Sequence, residues 1–128
     1  MKYSNTKIFK TGLIPIRFVL TYGTKAYARY VKEELGEEDV LNSAGCTSSF
    51  IDHETGIQTI IIAVVKRRRF VSEKHFKSIV IHEMSHATTY AMQRMNMVDD
   101  EFRSYTMQWL YKKVMPYLNK KTKGENNE

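Results

Sequence analysis

The stretch Ile57-Gln58-Thr59-Ile60-Ile61-Ile62-Ala63-Val64-Val65 limits what this chain can fold into more than any other. It becomes continuously apolar and is rich in branched side chains, the composition of a β-strand covered on both faces. A chain of 128 residues can supply that cover within one domain. Its 42% hydrophobic and 12% aromatic content also argues against disorder. Cys46 is the only cysteine, so an internal disulfide and a cysteine-based zinc cluster are both excluded. The most apolar stretches, 13–22 and 57–65, fall well short of the roughly 20 residues that span a bilayer. The N-terminus lacks the charged-then-apolar order of a signal peptide, so the expected setting is cytoplasmic, with no membrane partner.

Local signals divide the chain into β-α-β-β-α-α, an α+β domain over residues 1–118. Residues 1–11 are polar and read as a loose arm. Residues 13–21, with Pro15 near their start, read as a strand at a sheet edge. Thr24 caps a helix over 25–35, in which Tyr27, Tyr30, Val31 and Leu35 recur at spacings of three and four before Gly36 stops it. Strands at 46–52 and 57–65 are joined by a turn ending in Gly56. Ser72 opens a long helix from Glu73 to about Met95. A last helix starts at Asp99 or Asp100 and stops at Pro116, leaving 119–128 as a disordered tail. The sheet is expected to be small, mixed or antiparallel, and packed on the long helix and the one after it.

The net charge of +6 is concentrated. Lys66, Arg67, Arg68 and Arg69 supply +4, residues 112–128 supply +3, and the remainder sums to −1. One loop and one tail suit solvation better than a basic face spread over a fold, so nucleic acid is not the expected partner.

The residues that carry chemistry are His82-Glu83-Met84-Ser85-His86, an H-E-x-x-H sequence inside the long helix. Positions four apart share a helical face, so both imidazoles can address one zinc ion. Glu83 lies about 100° further round, beside such an ion, where its carboxylate can take a proton from water. Apolar neighbours at Ile79, Val80, Ile81 and Met84 predict a largely buried helix. Catalytic zinc sites use three protein ligands, and the third is open here. His75 is two turns from His82 and too distant, and His53 could reach only if its turn folded over the cleft. Asp99, Asp100 and Glu101 remain.

His82, Glu83 and His86, followed by Glu101 and Tyr105, make residues 82–110 resemble the zincin metallopeptidases, specifically the gluzincins. The same segment is similar to small metallopeptidases encoded by tailed bacteriophages. The resemblance implies a zincin-like core with a mixed sheet and an edge strand lining the substrate cleft. It also implies Zn2+ held by His82, His86 and Glu101. Only 14 residues separate His86 from Glu101, fewer than the larger gluzincins show. Helix capping points the same way, because Asp99 or Asp100 is well used on orphaned backbone N–H groups while Glu101 falls just inside the helix. Tyr105, one turn after Glu101, could stabilise an oxyanion or hold a ligand, or be a core aromatic at the rim.

The expected function is zinc-dependent hydrolysis of a peptide or protein substrate, with Glu83 activating water and Tyr105 assisting. The second strand of the 46–65 hairpin is the expected cleft wall. The alternatives are a catalytically silent zincin-like binding or structural protein, or a nucleic-acid or partner-binding module using Lys66, Arg67, Arg68 and Arg69.

Overall fold

A computed structural model describes residues 3–12, 14–66 and 72–126, with the backbone alone for 124–126. The strand β4 (Gln58–Val64) is buried at every position, as its apolar run requires. It pairs parallel with β2 (Ile16–Tyr22) and antiparallel with β3 (Gly45–Ile51). β1 (Thr6–Lys10) completes a mixed sheet of order β1-β2-β4-β3. The architecture is α+β, with four strands and three helices.

Between β2 and β4 the chain forms α1 (Thr24–Tyr30), which runs on as a π turn over Val31–Leu35 and ends at a left-handed Gly36. Tyr27, Tyr30, Val31 and Leu41 pack there against Val19, Ile61 and Ala63 on one face of the sheet. Burial, with a hydrogen bond to Asp39, pushes the Tyr27 hydroxyl up to about 12. The other face, built from Phe18, Leu20, Ile60 and Ile62, carries α2 (Glu73–Met95) and α3 (Asp100–Asn126). α2 has the ends its sequence signals: the Ser72 hydroxyl accepts from the His75 N–H, and Asn96 is left-handed.

Several expectations are corrected. Residues 6–10 are a paired edge strand and no loose arm, and Tyr3 is buried against Tyr30. β2 is interior, because β1 takes its free side. Pro15 precedes β2, and its carbonyl accepts from the Gln58 N–H; the expected first strand residue, Leu13, lies outside the described residues. α1 is capped by Gly23, whose φ of 101° suits glycine, and Thr24 makes no side-chain cap.

The last helix does not stop at Pro116. It continues through the segment expected to be disordered, as far as Asn126, with 127–128 outside the described residues. Pro116 is exposed, so the carbonyl on Lys112 that loses its partner belongs to a solvated turn. Beyond Pro116, Leu118 and Thr122 are buried, and Leu118 joins Val114 and Met115 in the core against the sheet. Leu118→Ala should therefore cost about 2–5 kcal/mol in denaturant unfolding. A change below about 0.5 kcal/mol, the size usual for an exposed residue, would show that this end is not packed.

Candidate metal centre

α2 turns one stripe inward: Phe76, Val80, Glu83, Met84, Ala87, Thr88 and Ala91 are buried. His82 and His86 lie to one side of that stripe and are exposed, and Ile81 is 43% exposed. The helix is thus half-buried, contrary to the expectation drawn from the apolar neighbours of His82. The rotation follows from which residues meet the sheet: Val80, Met84, Ala87 and Ala91 fit its apolar face.

The two imidazoles meet edge to face, with ring centroids 4.6 Å apart and Nε2 atoms separated by 3.1 Å. Two zinc–nitrogen bonds of about 2.0–2.1 Å at a tetrahedral angle would separate their nitrogens by about 3.3 Å. The pair therefore fits two positions on one ion with little adjustment.

Glu83 is 7% exposed and turns toward the edge strand β3. The Thr47 hydroxyl lies 2.8 Å from Glu83 Oε1 and 3.0 Å from its backbone carbonyl, so it donates to this residue. Gly45 passes so close that a methyl group there would sit 2.9 Å from Glu83 Cγ and Ile79 Cγ2, and 3.0 Å from Glu83 Oε2. Glycine is needed for space, because hydrogen alone fits under the carboxylate. Beside it Ala44, Gly45, Ser78, Ile79, His82 and Glu83 line a shallow cleft of about 360 Å³. Gly45 and Thr47 were not among the residues singled out from sequence. A glycine heading a strand is a general sign of close approach, but nothing in the sequence places Thr47 on Glu83.

The wall of this cleft is β3. The expected wall, β4, is paired on both sides and has no free edge. β3 offers its outer edge to solvent alongside α2, where an extended chain could add as a further strand.

Glu101 and Tyr105 are not brought to the histidines. Among the described residues no group of three His, Cys, Asp or Glu side chains is placed to hold a metal. Glu101 is exposed in the first turn of α3, its N–H donating to Asp99 Oδ1, as the capping argument anticipates. The burial of Leu110, Val114 and Leu118 sets the rotation of α3. The residue then reaching α2 is Arg103, whose guanidinium donates to Thr89, and Met107 meets Thr88. Glu101 and Tyr105 stand two residues from these inward positions, about 200° round the helix. Tyr105 is 66% exposed and lines a different pocket with Phe102 and Trp109. His75 lies in the first turns of α2, and His53 is exposed in the hairpin turn, which Arg94 ties to the far end of α2 through Gly56. Lys66 pairs with Glu73, while Arg67, Arg68 and Arg69 lie outside the described residues.

The centre is thus an H-E-x-x-H helix laid along the free edge of a mixed sheet, with two histidines aligned and a third protein ligand not assembled. No protein-family model, curated protein or solved structure matches the chain. No described helix is long and apolar enough to cross a membrane.

Proposed function

We propose that the α2–β3 cleft is the site of a metal-dependent hydrolase, with His82 and His86 holding a divalent ion, zinc by the chemistry of paired imidazoles. The observation that carries the reading is the 3.1 Å separation of the two Nε2 atoms next to a buried glutamate. A zinc ion there would lower the pKa of water and polarise a carbonyl oxygen. Glu83 would accept the proton of the attacking water, its carboxylate held by Thr47 in one orientation. The free edge of β3 would align an extended peptide by backbone hydrogen bonds, which makes a small zincin-like peptidase the specific form of the proposal.

Metal analysis tests the ion directly. After dialysis against excess zinc and then zinc-free buffer, the purified protein should retain about one ion per chain. His82→Ala and His86→Ala should each abolish retention and remove the stabilisation that bound metal contributes. Equal metal content in the wild type and both variants would overturn the assignment.

A further inference from the structure

Charge is divided along this chain in a way that its total conceals. Residues 1–32 contain seven basic and no acidic residues, and residues 102–124 contain six basic and no acidic residues. Twelve of the fourteen acidic residues lie in the intervening 33–101. The fold brings the two acid-free segments together: the Trp109 ring of α3 packs on Phe9 of β1 and Phe18 of β2, at centroid distances of 6.5 and 5.7 Å.

At this junction lies an open pocket of about 500 Å³, lined by Ile14, Phe18, Phe102, Tyr105, Trp109 and Lys112 among others. Its floor is aromatic and aliphatic. Lys112 stands at its border, and Lys113 Nζ lies 5.9 Å from the centre of the Trp109 ring. Lys7, Lys112, Lys113, Lys120 and Lys123 are exposed. On α3, Tyr105, Trp109, Lys112, Lys120 and Lys123 fall within an arc of about 80° on one helical face. The lysines after Pro116 belong to that surface only because the helix continues there.

We propose that this face of α3, with the β1–β2 end beneath it, binds single-stranded nucleic acid. Exposed bases stack on aromatic rings whatever their sequence, and lysines around the rings neutralise the phosphates. Tyr105 and Trp109 are one turn apart and supply the stacking surfaces; Lys112 and Lys113 supply charge beside them. A duplex buries the base faces that this pocket would contact. A helix that lies on a membrane projects its apolar side chains outward, whereas here they line a recess behind lysines. The pocket shares no lining residue with the α2–β3 cleft, so this proposal stands or falls apart from the hydrolase reading.

Trp109 is the only tryptophan, so its fluorescence reports directly from the pocket. Oligo-dT and oligo-rU of about 15 nucleotides, added at low salt, should perturb that emission and bind saturably by anisotropy. A response to either strand supports the proposal, and their ratio shows whether the 2′-hydroxyl is read. Tyr105→Ala, at an exposed position, should weaken binding roughly tenfold without lowering thermal stability. Lys112→Gln with Lys113→Gln should reduce the slope of log K against log salt by about 1.4. Failure of both oligonucleotides to bind, undiminished affinity in Tyr105→Ala, or equal binding of heparin or phosphatidylserine vesicles would overturn it.

Discussion

Glu83→Gln should keep its metal and lose peptide hydrolysis by about a hundredfold or more. The substitution preserves shape, and the Thr47 hydroxyl can donate to an amide oxygen as it does to carboxylate Oε1. What it removes is the ability to accept a proton from water. Glu83 is buried against β3, where the Thr47 hydroxyl holds its carboxylate. Peptide-library cleavage by wild type and variant, each assayed for bound zinc, gives the comparison. Equal cleavage rates would remove Glu83 from the chemistry. Full zinc loading with no cleavage by either would identify a binding protein built on the same helix.

Gly45→Val should destabilise the fold by about 1–3 kcal/mol and displace the Glu83 carboxylate from Thr47. Even a single methyl would approach Glu83 Cγ and Ile79 Cγ2 to 2.9 Å, and valine adds two more carbons on the same atom. Relief must come from moving β3 away from α2 or from turning Glu83 out of its place. Denaturant unfolding measures the first, and metal-loaded activity the second. Ile79→Ala in the Gly45→Val background should recover part of the stability, because the two positions share one space. Additive effects would show that the strand and helix are not pressed together at this point.

Elements with local signals were legible from sequence. α2 begins at Ser72 and ends at Asn96 as expected, because a hydroxyl cap and a left-handed C-terminal residue act within one turn. The hairpin from β3 to β4 was legible for the same reason. β1 was not: Lys7, Ile8 and Lys10 are exposed on an edge strand, so the apolar alternation that marks a strand is absent. The end of α3 was also missed. Its residues are mostly polar, and Leu118 and Thr122 become buried only against the rest of the fold.

The sequence alone determined that His82, Glu83 and His86 share one helix and that β4 is covered on both faces, since spacing and apolar content depend only on neighbours along the chain. Tertiary structure decided the rest of the site. The packing of Val80, Met84 and Ala87 turned Glu83 inward and left the histidines exposed, and parallel pairing of β4 with β2 made β3 the free edge. The burial of Leu110, Val114 and Leu118 turned Glu101 and Tyr105 away from the histidines and set Trp109 and Lys112 beside the acid-free N-terminal strands. A helix's rotation about its axis and the partner of a strand are set by contacts between distant segments, and local periodicity carries no record of them.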